Sequence, residues 1–388
     1  MTRADLFAAE PLSAQLADLA RLDAEGRRRS LIPRAGLDFA SNDYLGLAAS
    51  GALEQAARDA LDRGVPVGSG GSRLLRGNCA EHEALEAEAA AFFGAESALF
   101  LSSGFVANSA LYATLPQRGD LILADELVHA SCHEGLKLTR AECRLLPHGD
   151  LAAFEAALLE WRAAGHGGQV WLAVEALYSM DGDCGPVAEL GALAEKHGAM
   201  LLVDEAHSTG VYGPGGRGLA AEAGLQGRAN VITLHTCGKA LGCEGALLVG
   251  PAAMKDFLVN RARGFIFSTA PSPLMAAVVR EALRICERGD DLRAALQARI
   301  ARAAQLLGPL GAEVHGSPVL PLVLGDNHRT MAVAQRLQAA GFDVRGIRPP
   351  TVPVGTSRLR IVVTLNTNED DIAALAAALR EALEETGA

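Results

Sequence analysis

The segment His235-Thr-Cys-Gly-Lys-Ala-Leu-Gly242 follows directly on the apolar run Val231-Ile-Thr-Leu234, and the rest of the chain is best read from this junction. The run has the length and branched composition of a buried strand. The segment after it sets a lysine among small residues and glycines, with no acid before Glu244. Lysine is costly to bury, and burial lowers its pKa and makes its amine a Schiff-base nucleophile. The chain has only four lysines. Lys137 and Lys255 fit solvated helix faces, and Lys196 fits the C-terminal end of a helix, where the dipole favours it. By elimination, Lys239 is the one good Schiff-base candidate.

Outward from this junction the same pattern repeats. Ala98-Leu-Phe-Leu101, Leu121-Ile-Leu-Ala124, Val170-Trp-Leu-Ala-Val174, Met200-Leu-Leu-Val203 and Ala246-Leu-Leu-Val249 are further short apolar runs. Helical patterns intervene at 82–93, 106–115, 150–164 and 187–197, and others precede them at 10–28 and 51–62. Such alternation predicts an α/β fold with a mostly parallel sheet flanked by helices. Beyond about 270 the texture changes to long Ala/Leu/Arg helices at 272–288 and 291–308. A strand-like run at 319–324, a helix at 329–340, a Pro-rich loop at 348–355, a strand at 358–364 and a helix at 369–385 follow. The expected organisation is an N-terminal helical segment (1–45), a large domain (46–285) and a smaller α+β C-terminal domain (286–388).

Ligands of α/β sheets bind outside the carboxyl ends of the strands. After Leu101 comes Ser102-Ser-Gly104-Phe105, a turn opening a helix. Its free N–H groups suit phosphate, or it is simply an N-cap. After Val203 comes Asp204-Glu-Ala-His207. A buried carboxylate there needs a cationic partner, such as a protonated ring nitrogen, unless Asp204 merely caps the turn. The acidic turn Glu175-Ala-Leu-Tyr-Ser-Met-Asp-Gly-Asp183 lacks the alternating ligands of a calcium loop. His129 and His133 lack the metalloprotease Glu, so an imidazole stacking on a ring is preferred to zinc. Gly68-Ser-Gly-Gly-Ser72 is a flexible loop and not a Walker motif.

Composition excludes other classes. A net charge of −11 argues against a nucleic-acid surface. No apolar run is long enough to span a membrane, and the first 20 residues lack the basic start and apolar core of a signal peptide. Seven cysteines without a Cys-x-x-Cys pair fit a reducing cytoplasm.

Taken in order, Ser41-Asn-Asp-Tyr-Leu-Gly46, Gly68-Ser-Gly-Gly-Ser72, Ser103-Gly-Phe105, His129-Ala-Ser131, Ser179-Met-Asp-Gly182, Asp204-Glu-Ala-His207 and Gly238-Lys-Ala240 resemble the α-oxoamine synthase family of fold-type I pyridoxal-phosphate enzymes. The resemblance spans nearly the whole chain. It implies that Lys239 anchors the cofactor and acts as general base, and that Asp204 pairs with the ring nitrogen. By the same carry-over His207 contacts the ring oxygen, His129 stacks on the ring and Ser179 lies near it. Gly104, Phe105 and Thr236 would hold the phosphate. Arg360, with Asn42, would bind the amino-acid carboxylate. The family also implies a homodimer in which Thr269, in Phe265-Ile-Phe-Ser-Thr269, reaches the partner's phosphate.

Ile347-Arg-Pro-Pro-Thr-Val-Pro353, followed by Gly355-Thr-Ser-Arg-Leu-Arg360, is most similar to the biotin-pathway branch. That branch condenses L-alanine with a pimeloyl thioester, and there Arg27 and Thr351 would line the acyl channel. Glycine with a different acyl-CoA is the alternative, and the carrier, CoA or acyl carrier protein, stays open. Cys243 and Glu244 depart from the small or apolar residues expected after the lysine.

Overall fold

Six of the apolar runs become strands of one seven-stranded sheet in the computed structural model, which describes residues 11–387. The strands are β1 (Ser97–Leu101), β2 (Leu121–Asp125), β3 (Glu142–Leu146), β4 (Val170–Glu175), β5 (Met200–Asp204), β6 (Val231–Thr236) and β7 (Ala246–Gly250). They lie in the order β1-β7-β6-β5-β4-β2-β3. Only β7 runs against its neighbours, so the other six carboxyl ends share one edge. β3 is the strand missed by sequence reading. It closes the sheet, and its polar start Glu142-Cys-Arg faces outward instead of forming an apolar run.

The central strands are continuous hydrophobic runs because both faces are covered. Leu121, Leu123, Leu201 and Val203 pack on one face, while Ile122, Ala124 and Leu202 pack on the other. The helix Gly104–Thr114 covers the second face, and Leu151–Ala163 with Val187–His197 cover the first. The first ten residues, assigned above to the N-terminal segment, lie outside the described residues; the helix expected at 10–28 is seen as Ser13–Ala24.

The C-terminal layer is a three-stranded antiparallel sheet of β8 (Val319–Gly325), β9 (Arg345–Ile347) and β10 (Ser357–Val362), with β10 in the middle. The helices Asp290–Leu307, Asn327–Ala339 and Glu369–Glu385 pack with it. Arg358 and Arg360 are two residues apart on β10, so their side chains share a face. The stretch after Leu37 belongs to this layer too. Leu37–Asp38 pair in parallel with Phe342–Asp343, and Leu365 N–H donates to the Tyr44 carbonyl at 3.0 Å.

The two sheets meet at the turn between Tyr178 and Asp183. Gly182 there has φ +76°, and a Cβ added to it would lie 2.2 Å from the Val319 carbonyl oxygen. Gly182→Ala is therefore expected to lower stability by at least about 1–2 kcal/mol, the left-handed backbone alone accounting for that much. The midpoint of thermal unfolding measures it; an unchanged midpoint would mean that the turn shifts freely away from β8.

Candidate active site

Lys239, Asp204, His207, His129, Gly104, Phe105 and Thr236, all picked out above, line a single cavity of about 200 Å³ at the carboxyl edge of the large sheet. Each arrives there for a local reason. Asp204 and Thr236 end β5 and β6. Gly104 and Phe105 open a helix whose cap, the Ser103 hydroxyl, accepts the Val106 N–H at 3.2 Å. The N–H groups of the first turn have no partner within a helix and face outward along its axis. An added Cβ on Gly104 would stand 3.6 Å from Thr236 Oγ1, so the helix start and that hydroxyl bound the same corner.

The lysine is largely shut away from water. Burial brings its pKa down to about 8, against the opposing pull of Asp204 and Glu175, which favour the ammonium. Its Nζ lies 2.8 Å from His207 Nε2. On the far side of that imidazole, Nδ1 is 2.5 Å from the Tyr44 hydroxyl. Burial first, and the Lys239 charge second, hold His207 well below its ordinary pKa, so the ring is neutral. One tautomer satisfies every partner: Lys239 donates to Nε2, Nδ1–H donates to Tyr44, and Tyr44 donates to Asn42 Oδ1 at 3.3 Å. Arg360 Nη2 donates to the same Asn42 oxygen at 2.9 Å. A continuous hydrogen-bonded line thus joins Lys239 to Arg360.

A second line leaves Asp204. Its Oδ2 accepts from Asn108 Nδ2 at 2.7 Å, and its Oδ1 from the Ala206 N–H at 2.9 Å. Asn108 also donates to Ser131 Oγ, which is 2.7 Å from His129 Nδ1. The Ser131 N–H donates to that same nitrogen at 3.2 Å, which makes Nδ1 an acceptor and leaves the proton on Nε2. Burial lowers the His129 pKa, in keeping with a neutral ring.

Glu175, Asn108 and Tyr44 are the site residues that sequence reading did not select. Glu175 ends β4 beside Asp204, its register partner on β5. Its Oε2 accepts one N–H, from Ser179 at 3.3 Å, while Oε1 is buried without a partner. Burial, and then the Asp204 charge, push its pKa well above the carboxylate range. Its strand-end position, matching that of Asp204, was the available signal. Tyr44 sits inside a quoted motif and Asn108 in the helical pattern at 106–115, but nothing in their spacing marks them as partners of His207 and Asp204.

The remaining candidates lie around this centre. Arg360 is buried, and its Nε donates to the Ser179 carbonyl at 2.6 Å. Arg358 turns to Asp181 instead, pairing with it at 2.5 Å. Thr269 lines a separate small cavity with Ser268 and Arg73. Arg27 donates to the Pro349 carbonyl at 3.2 Å and to Glu25 at 2.8 Å, and Thr351 accepts from Arg29 at 3.0 Å. The N-terminal arginines and the Pro-rich loop therefore do meet, with Arg29 as the residue that touches Thr351.

A buried amine facing a strand-end carboxylate, beside a helix start free to take an anion, is the arrangement of a fold-type I pyridoxal-phosphate transferase. A model of the aminotransferase class I and II family matches residues 34–379, and the chain belongs to that family. It is similar to 8-amino-7-oxononanoate synthase of Aromatoleum aromaticum, 43% identical over 379 residues that cover 94% of this chain and 96% of the relative. The same enzyme of Burkholderia lata is 43% identical, with 94% and 95% covered. Among solved structures, Sphingomonas wittichii serine palmitoyltransferase superposes with a TM-score of 0.89 at 29% identity, covering 98% of this chain and 99% of the other. The 8-amino-7-oxononanoate synthase of Francisella tularensis gives 0.75 at 28% identity, covering 90% and 98%. No helix among the described residues is long and apolar enough to cross a membrane.

The Lys239 amine should be titratable directly. Competitive labelling with acetic anhydride, followed by peptide mapping, is expected to give it a midpoint near pH 8. Asp204 favours the ammonium, so Asp204→Asn should move that midpoint lower. A midpoint at the ordinary lysine value of about 10.4 would mean that the amine is solvated.

Proposed function

We propose that the chain joins L-alanine to a pimeloyl thioester, releasing carbon dioxide and the thiol to give 8-amino-7-oxononanoate, with pyridoxal 5'-phosphate as its cofactor. The observation that carries this reading is the hydrogen-bonded line from Lys239 to Arg360, which ties the candidate base in the small cavity to the candidate carboxylate-binding fork. The 43%-identical relatives over nearly the whole chain support the choice of substrates.

The residues present fit the cofactor. Gly104 and Phe105 N–H with the Thr236 hydroxyl would take its phosphate, and Asp204 its ring nitrogen. His207 would meet the ring oxygen, with Ser179 close by, and His129 the ring face. When bound, the cofactor supplies an electron sink for a carbanion at the amino-acid α-carbon. The chain supplies the rest. Lys239, neutral above about pH 8, anchors the cofactor and removes the α-proton. Asp204 would pair with the ring nitrogen, its carboxylate already oriented by Asn108 and the Ala206 N–H. Arg360 grips the alanine carboxylate, with Asn42 steadying the guanidinium. Arg27 and Thr351 stand where the acyl chain would enter, at the joint of the N-terminal segment and the Pro-rich loop.

The deciding experiment offers the enzyme alanine or glycine, each with pimeloyl-CoA or acetyl-CoA, and follows free thiol and product mass. Alanine with pimeloyl-CoA is expected to turn over fastest; a preference for glycine with acetyl-CoA would overturn the substrate assignment. Arg360→Lys keeps the charge but loses the fork. It should weaken alanine by about 1.5–3 kcal/mol, the range for a charged hydrogen bond, with little change for the thioester.

The working unit is read as a homodimer. Phe105 and Ser268 line an open groove of about 800 Å³ bordered by Arg118, Arg140, Arg261 and Arg263, and Phe267 beside it is exposed. A partner subunit over this face would bring Thr269 to a second cavity. Light scattering should return twice the chain mass; a fully active monomer would sink the idea.

A further inference from the structure

The turn from Tyr178 to Asp183 stands between the strand-end carboxylates and the arginines of β10, and it is gripped from two sides. From the C-terminal layer, Arg358 pairs with Asp181 and donates to the Met180 carbonyl at 3.3 Å, while Arg360 holds the Ser179 carbonyl at 2.6 Å. From the large sheet the grip is His148, just past the end of β3. Its Nδ1 lies 3.0 Å from both oxygens of the fully buried Asp125, and its Nε2 lies 2.8 Å from Asp183 Oδ2. The Tyr178 ring meets the imidazole edge-on, with centroids 4.4 Å apart at 82°.

A carboxylate accepts and cannot donate, so both ring nitrogens must carry protons and the ring is an imidazolium. Asp125 is fixed in turn by the N–H groups of Leu127 and Gly149, each at 2.8 Å. The bonds to Asp125 and Asp183 raise the His148 pKa to about 10, so the ring stays charged at neutral pH.

We propose that His148 is a positioning residue for amino-acid recognition: held between Asp125 and Asp183, it fixes the turn whose Ser179 carbonyl aims the Arg360 guanidinium. The proposal rests on the reading of Arg360 as the carboxylate-binding residue. Without the His148–Asp183 link, the turn keeps its contacts to β10 and the Ser179 N–H bond to Glu175, but its far end loses its side-chain tie to the large sheet through Asp125. The Ser179 carbonyl that aims the Arg360 guanidinium is then freer to shift against the base.

The test is steady-state kinetics of the cofactor-loaded enzyme with His148→Gln, Asp183→Asn, Arg360→Lys and the doubles with Arg360→Lys. Asp183→Asn removes only the turn-facing arm, so it carries the test if His148→Gln does not fold. Either single variant is expected to raise the KM for alanine roughly tenfold, about one charged hydrogen bond's worth. The kcat and the thioester KM should stay within about twofold. In the Arg360→Lys background the same changes should add little, because residues acting through one group are not additive. An alanine KM unmoved by Arg360→Lys would defeat the reading of Arg360 itself. If Arg360→Lys raises it while the turn variants do not, or if their effects simply multiply, His148 is a structural strut and the proposal fails. Equal losses in kcat and in both KM values would overturn it too.

Discussion

Everything at the carboxyl edge of the large sheet turns on the cost of burying an amine. Water would hold Lys239 as an ammonium. The site removes the water and keeps only enough negative charge to stop the pKa falling further, and the balance rests near 8. Two strand-end acids, Asp204 and Glu175, supply that opposing pull. Asp204 has two donors to its oxygens, from Asn108 and Ala206, whereas Glu175 has one, from Ser179. Burial and the neighbouring Asp204 push the Glu175 pKa up. The same burial keeps His207 and His129 neutral, so that both imidazoles hold their neighbours through hydrogen bonds.

The sheet makes this arrangement possible. Parallel strands bring the ends of β2, β4, β5 and β6 to one edge, each delivering the residue after its apolar run. Alternation across the sheet buries both faces, so the strand ends are held by the core and need no stabilisation from the ligand they serve. The C-terminal layer adds what the large sheet lacks, a guanidinium approaching from outside, and the Tyr178–Asp183 turn is the joint through which it is aligned.

Much of this was legible in the sequence. Apolar runs of four or five residues marked six of the seven strands, and the scarcity of lysine made Lys239 stand out by elimination. The Asp204-x-x-His207 spacing placed both residues in one pocket. The rest was hidden for physical reasons. Strand β3 has a solvated face, so its residues carry no apolar signature. Asn108 looks like any polar residue in a helix until its partner Asp204 arrives from a strand far along the chain. Glu175 read as part of an acidic turn, because its raised pKa depends on burial and a neighbour that only the sheet register supplies. Arg358 and Arg360 could not be told apart by spacing, since both face the same way; their partners Asp181 and Asn42 separate them.

The line from Lys239 through His207, Tyr44 and Asn42 to Arg360 draws on four separate stretches of chain. The lysine and histidine come from the large sheet, the arginine from the C-terminal layer, and the two residues between them from a segment that pairs with that layer. No single layer owns the centre. Its geometry is a property of assembly: neither sheet, folded alone, would bring Lys239 and Arg360 onto one hydrogen-bonded line. Catalytic competence is therefore expected to appear late in folding, only after the Asn42–Tyr44 segment has threaded between two bodies that are already built.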